Sequence, residues 1–144
     1  RLPLLNRGFV LGIVHVRGGG DLGDAWHYLG RHLNKKNTFN DFVDVTNGLV
    51  ESGIGHPEML AARGTSAGGT IIGVVANEAP ALFKVLVSGV PFVDVITTFC
   101  FSSVDKVSLS ILKNDFSILI TLHSSFLCFS PSSNILFIFF EFLL

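Results

Sequence analysis

The chain has 144 residues, enough for one domain of ordinary size, and a net charge of −1. This near-neutral charge gives no electrostatic basis for binding nucleic acid or an anionic membrane surface. The composition also changes along the chain, because all fifteen glycines lie at or before Gly89 and eight of the fourteen phenylalanines follow Cys100.

Strand and helix patterns alternate along residues 1–99. The predicted elements are a strand at 9–16, a helix at 24–33, a polar turn at 34–37, a helix at 38–51, a strand at 59–62, a helix at 67–77 and a strand at 84–90. Thr38 is the predicted N-cap of the second helix, Asp41 follows as an acidic near-match to a capping box, and Ser52-Gly53 ends the helix. This alternation predicts an α/β fold whose parallel sheet forms sites at the carboxyl ends of its strands.

A glycine-flanked serine follows the second predicted strand, in the run Gly64-Thr65-Ser66-Ala67-Gly68-Gly69. The pattern G-x-S-x-G between a strand and a helix is typical of a nucleophilic serine raised on a sharp turn. Gly64 and Gly68 lack side chains, which lets the strand and the helix approach closely. We therefore predict that Ser66 is a nucleophile. The alternative is a tight glycine turn whose serine only caps the following helix.

Other polar residues near the predicted strand ends have ordinary structural explanations. Asp94 follows the last strand and is a candidate triad acid, although an aspartate that accepts backbone N–H groups in a turn is commoner. His15 lies in an apolar strand and is interpreted as a hydrogen-bonded core residue. We interpret the glycine-rich run at 17–20 as a structural loop that shapes the site, with Trp26 packed beneath it.

No metal or cofactor is predicted. The histidines that are not in strands or in the C-terminal stretch have no metal-ligand spacing, and no zinc motif is present. They are His27, His32 and His56.

The stretch 100–144 is rich in Phe, Ser and Leu and follows no periodic pattern. His123 and the polar run at 130–134 break its apolar segments below the roughly 18 to 20 residues of a spanning helix. We interpret it as a mis-joined or translated non-coding segment, with a membrane anchor as the alternative. Its cysteines, Cys100 and Cys128, are too few for a disulfide framework and are interpreted as free thiols.

The chain is expected to be a fragment. It begins Arg1-Leu2-Pro3, without an initiator methionine or a signal-peptide pattern. Three strands are also too few to bury both faces of a doubly wound sheet.

Ordered blocks of residues 1–99 resemble the catalytic domain of the prolyl oligopeptidase family of serine peptidases. The blocks are Asn6-Arg7-Gly8-Phe9, residues 15–23 with Trp26, residues 36–42, residues 64–69, Asn77, Pro80, Leu82-Phe83 and residues 91–95. Ala67 and the run at 91–94 favour the oligopeptidase B branch, because proline-specific relatives usually carry asparagine after the serine.

The resemblance implies a partial α/β-hydrolase fold at 1–99, followed by an unmatched tail at 100–144. In this family an amino-terminal β-propeller normally caps the catalytic domain and limits substrates to short peptides. Ser66 would attack the scissile carbonyl, and the backbone N–H of Ala67 would bind the oxyanion.

The remaining catalytic parts of the family correspond to positions outside this chain. The triad aspartate and histidine come after Leu144, as does the acidic segment that favours Arg or Lys, whereas a tyrosine of the oxyanion hole precedes Arg1. The resemblance therefore implies a serine oligopeptidase that needs no cofactor, lacks the propeller here, and is inactive as this chain alone. The alternatives are a non-catalytic fragment or defective relative, and an α/β-hydrolase esterase.

Overall fold

The computed structural model describes residues 2–93 in full, and the backbone of three later strands at 112–113, 116–121 and 136–140. The helices are α1 (Leu2–Leu5), α2 (Asp24–Tyr28), α3 (Lys35–Glu51) and α4 (Ala67–Glu78). The strands are β1 (Leu11–Ile13), β2 (Leu60–Thr65), β3 (Val85–Gly89), β4 (Leu112–Lys113), β5 (Phe116–Thr121) and β6 (Leu136–Phe140). Single turns of 3-10 helix lie at His32–Asn34, Pro57–Met59 and Pro80–Leu82.

The strands form one sheet in the order β1-β6-β2-β3-β5-β4. Every pairing is parallel except that of β4 with β5. In the register of β2 and β3, Ala61 lies opposite Val85 and Thr65 lies opposite Gly89. The two strands therefore end together at one edge of the sheet. The parallel sheet with its helices confirms the α/β prediction.

The core lies between the sheet and helices α3 and α4. β2 begins with three consecutive buried residues, 60–62, as expected for a strand covered on both faces. Phe42 of α3 is fully buried and stacks on Phe83, with 6.0 Å between the ring centroids. From α4, Ile71 and Ile72 are buried against this cluster. This packing holds α4 against β2 and β3, whose carboxyl ends it adjoins.

Helix α3 corrects the predicted capping pattern. It begins at Lys35, so the polar turn predicted at 34–37 is mostly helical. Thr38 is not an N-cap but a buried residue inside the helix, with its Oγ1 2.7 Å from the Arg17 carbonyl oxygen and 3.0 Å from that of Gly30. These two distant carbonyl groups offer the hydroxyl a partner that local capping rules do not include. The predicted end is confirmed, because Ser52 is the C-cap and Gly53 has a φ of +71°.

Three other local predictions were wrong, namely the burial of His15, the length of the first strand and the end of the helix predicted at 24–33. His15 is exposed, and its Nδ1 lies 3.1 Å from Oδ2 of Asp21, so it is not a core residue. β1 is also shorter than predicted. Helix α2 ends at Tyr28 because the chain must then pass beside the glycine-rich loop, where a Cβ at Gly30 would overlap the backbone of Arg17.

The glycine-rich loop is a structural element fixed by tertiary hydrogen bonds. The backbone N–H of Gly18 donates to the Trp26 carbonyl at 3.0 Å, and the Trp26 indole N–H donates to the His15 carbonyl at 3.2 Å. Arg17 donates its backbone N–H and its guanidinium N–H groups to Asp41, with the backbone contact at 2.9 Å. The residue predicted to complete a capping box thus fixes the loop instead.

The Arg17–Asp41 pair should give stability that depends on pH. Hydrogen bonds from the Arg17 guanidinium hold the pKa of Asp41 below its usual range. A carboxyl with a lowered pKa in the folded state stabilises above its unfolded pKa, and this contribution is lost as the pH falls through the folded value. We expect Asp41→Asn to lower the free energy of unfolding at pH 7 by about 1.5–3 kcal/mol, and by less at pH 3, as measured by urea unfolding.

Asp44→Asn is the matched control, because Asp44 lies on the same helix, is exposed and interacts with Arg17 only at longer range. That substitution should change the unfolding free energy by less than about 0.5 kcal/mol at both pH values. An equal loss for Asp41→Asn at pH 7 and pH 3 would show that the charge of Asp41 does not stabilise the loop.

Backbone beyond residue 93 adds strands to the sheet. The sequence there follows no periodic pattern, yet β5 pairs with β3, and β6 lies between β1 and β2. Predictions for Asp94, Cys100, His123 and Cys128 fall outside the described residues. Within the part of the chain that is described, no helix is both long and apolar enough to cross a membrane.

Candidate active site

Ser66 occupies a strained position between β2 and α4. Its φ of +56° and ψ of −117° lie in a region that residues with a side chain rarely adopt. In the described residues, only His32 and Val90 share a positive φ without being glycine. Such strain persists only where the surroundings fix the backbone, and it often accompanies a functional site.

The glycines of the motif allow α4 to start directly beside β2. A Cβ at Gly64 would fall on the carbonyl group of Gly68 and would also lie 2.9 Å from Cγ1 of Ile72. A Cβ at Gly69 would lie 2.9 Å from Cα of Pro91, in the loop after β3. The close approach predicted for Gly64 is therefore present, and Gly69 has a second close contact that the motif did not indicate.

The side chain of Ser66 does not act as the cap of α4. Ser66 is exposed, and its hydroxyl makes no cap hydrogen bond to the amides of α4. The hydrogen bond that would define a purely capping serine is thus absent.

The backbone amides beside Ser66 differ in their hydrogen bonding. The N–H of Ser66 donates to the Gly89 carbonyl at 2.9 Å. The N–H of Ala67 has no hydrogen-bond partner within the described residues, and it begins the twelve-residue helix α4. A first-turn amide with the positive end of a helix dipole behind it can bind a negatively charged oxygen.

Three histidines within residues 2–93 form polar contacts, and in each case the partner is a residue other than Ser66. His15 pairs with Asp21, His27 Nδ1 lies 2.8 Å from the Gly18 carbonyl oxygen, and His56 Nδ1 accepts from the Glu58 N–H at 3.2 Å. No group of three His, Cys, Asp or Glu side chains in the described chain could hold a metal ion. This region therefore brings together an exposed hydroxyl and an amide, with no histidine hydrogen-bonded to Ser66.

Sequence reasoning missed the residues that join the loop after β3 to α4. The hydroxyl of Thr70 donates to the Phe92 carbonyl at 2.7 Å, and the buried hydroxyl of Ser88 donates to the Gly69 carbonyl at 3.0 Å. The only sequence signal was the position of Thr70, four residues after Ser66 and therefore on the same face of the helix. That spacing does not indicate which loop, or which atom of it, the Thr70 hydroxyl would contact.

Comparison with known proteins gives one consistent result. A family model described as the prolyl oligopeptidase family matches residues 1–110. Protease 2 of Moraxella lacunata is 47% identical over 109 residues, which are 76% of this chain and 16% of that protein. Dipeptidyl aminopeptidase BI of Pseudoxanthomonas mexicana is 50% identical over 97 residues, which are 67% of this chain and 13% of that protein.

Solved structures agree with the sequence comparison. The structure of oligopeptidase B from Leishmania major is 50% identical in sequence, with a TM-score of 0.56 over 60% of this chain and 12% of that one. Oligopeptidase B from Trypanosoma brucei, with covalently bound antipain, is 49% identical with the same TM-score and coverage. The chain thus spans 16% of the length of Protease 2 and 13% of the length of dipeptidyl aminopeptidase BI.

Proposed function

Because the chain belongs to the prolyl oligopeptidase family, we propose that it forms part of an oligopeptidase B-like serine peptidase in which Ser66 is the nucleophile. The observation that carries this proposal is the geometry of Ser66. An exposed serine has a φ of +56° at the junction of β2 and α4, next to the N–H of Ala67, which has no hydrogen-bond partner within the described residues. A hydroxyl and an oxyanion donor on adjacent residues are what acyl transfer requires at the reacting carbonyl.

In the proposed reaction, Oγ of Ser66 attacks the carbonyl carbon of a peptide bond while a general base takes its proton. The carbonyl oxygen becomes an oxyanion that accepts a hydrogen bond from the N–H of Ala67. The carbon–nitrogen bond then breaks, the leaving amine receives the proton, and an ester joins the acyl group to Ser66. Water completes the cycle by hydrolysing this ester.

The substrates that we propose are short peptides. The general base and the acid that orients it are contributed by segments outside this chain, as are a second oxyanion donor, the propeller and the residues that select a basic side chain. We therefore propose that the 144 residues alone do not catalyse turnover. Two relatives carry the names Protease 2 and dipeptidyl aminopeptidase BI, so both are named for peptide cleavage.

A chimera tests the proposal. In Protease 2 of Moraxella lacunata, the 109 matched residues are replaced by those of this chain, so that the host supplies the other catalytic parts. We expect the chimera to cleave a peptide amide substrate of the host within about tenfold of the host rate, and an organophosphonate to label Ser66. The isolated chain should show no turnover of the same substrate.

Other outcomes distinguish the alternatives. Hydrolysis of short acyl esters without peptide amides would favour an esterase. A folded chimera with no turnover and no adduct at Ser66 would favour a non-catalytic relative and would refute the peptidase proposal.

A further inference from the structure

The strained backbone of Ser66 is held by three hydrogen bonds to its own peptide groups. Its N–H donates to the Gly89 carbonyl at 2.9 Å. Its carbonyl oxygen accepts from the N–H of Thr70 at 3.2 Å and from the N–H of Phe92 at 3.4 Å. Two of the three partners belong to β3 or to the loop that follows it, so this loop helps to fix the Ser66 turn.

Thr70 connects that loop to the helix. Its Oγ1 donates to the Phe92 carbonyl at 2.7 Å while its N–H donates to Ser66. Ser66, Thr70 and Phe92 therefore close a ring of hydrogen bonds, in which each residue bonds to the other two. Removing the Thr70 hydroxyl would break one of the two hydrogen bonds that Phe92 makes in this ring and would leave the longer one, the 3.4 Å contact with the Ser66 carbonyl.

The hydroxyl of Thr46 provides a contrast with that of Thr70. A threonine inside a helix commonly bonds back to the carbonyl four residues earlier. Thr46 in α3 does so, since its Oγ1 donates to the Phe42 carbonyl at 2.8 Å. The hydroxyl of Thr70 instead leaves its own helix and bonds to a loop 22 residues away in sequence.

The loop itself needs such restraint. Val90 has a φ of +40°, which is unfavourable for a β-branched residue, and Pro91 packs closely against Gly69. The Thr70 hydroxyl fixes the loop after this strained residue, and the Ser88 hydroxyl fixes it before, through the Gly69 carbonyl. A change in the backbone at Val90 would therefore alter the position of the Phe92 N–H, two residues later, relative to the Ser66 carbonyl.

From this ring we infer that Thr70 is a positioning residue for Ser66, a role that rests on the proposed function of Ser66 as the nucleophile. Thr70 touches no reacting atom. It holds the loop that holds the carbonyl of Ser66, and so fixes the direction of the Ser66 side chain and of the neighbouring amide of Ala67. A nucleophile must be held within a fraction of an ångström of its attack position, so a looser turn lowers the rate.

The first test measures amide hydrogen exchange by NMR in the 144-residue chain. We expect Thr70→Val to accelerate exchange at the N–H groups of Ser66 and Phe92 at least tenfold, and Thr70→Ser to keep both within threefold of the original rates. Thr70→Ala, which also lacks the hydroxyl, gives the same readout if valine prevents folding. Thr46→Val is the matched control and should leave both amides unchanged.

Unchanged exchange at Ser66 and Phe92 in the hydroxyl-free variants would overturn the inference, as would an equal acceleration in Thr46→Val.

The second test uses the chimera. There, Thr70→Val should lower kcat and the rate of phosphonate labelling about tenfold with KM unchanged, and Thr70→Ser should restore both. A chimera whose unaltered Ser66 fails to react refutes the proposed function, whereas normal labelling in Thr70→Val refutes only the positioning role.

Discussion

Replacing Ser66 with alanine is expected to lower kcat of the chimera about 10⁵- to 10⁶-fold, because the reaction then loses its nucleophile and its covalent intermediate. The binding surface and the N–H of Ala67 remain, so KM should change little. Phosphonate labelling at position 66, followed by mass spectrometry of the modified peptide, should disappear completely.

Two variants separate this loss from a loss of folding. Ser52→Ala removes an exposed hydroxyl at the end of α3 and should retain full activity. Ser66→Gly should be as inactive as the alanine variant. Its free energy of unfolding should exceed that of the alanine variant by about 1–2 kcal/mol, since glycine adopts a positive φ without strain. Retention of more than a thousandth of the activity in Ser66→Ala would assign the nucleophile to another residue.

The second large effect is expected at Gly64. In Gly64→Ala the added methyl group would fall on the Gly68 carbonyl, so α4 must move away from β2 or the turn must reorganise. We expect the free energy of unfolding to fall by at least about 3 kcal/mol, because backbone rather than a flexible side chain blocks the space. Urea unfolding of the 144-residue chain, monitored by circular dichroism, measures this change.

Gly48→Ala provides a matched control for the same substitution. Gly48 lies within α3, and a Cβ there would meet nothing within 4 Å. Alanine at this position should therefore raise the unfolding free energy by about 0.5–1 kcal/mol through helix propensity. If the two variants had the same stability, the close contact between Gly64 and Gly68 would not be a requirement of the fold.

The Ser66 turn could be predicted because its determinants are local in sequence. A glycine two residues before the serine and another two residues after it removes the side chains that would separate strand from helix. The following helix was also predictable, since its apolar residues recur with helical spacing and Pro80 prevents its continuation. The observed α4 ends at Glu78, one residue beyond the predicted end.

Features that depend on distant partners could not be predicted. Thr38 and Asp41 fit a capping pattern, but both side chains bond to the glycine-rich loop, more than twenty residues earlier in the chain. His15 lies in an apolar run, yet its pairing with Asp21 on the surface depends on how the loop folds back. Thr70 likewise has a partner in a loop that follows another strand. In each case the sequence contains the polar group and lacks the geometry that selects its acceptor.

The hydrogen bond from Ser66 to the Gly89 carbonyl limits how the turn can be reused. A peptide N–H has one proton, and here that proton is committed to the end of β3. In a strand–turn–helix unit transplanted without this neighbouring strand, the N–H of Ser66 would lose its acceptor. An anion would then be able to bind to the N–H of Ser66 as well as to that of Ala67. The last carbonyl of β3 thus leaves Ala67 as the amide that the proposed function assigns to the oxyanion, and this assignment depends on the pair of strands as well as on the five-residue motif.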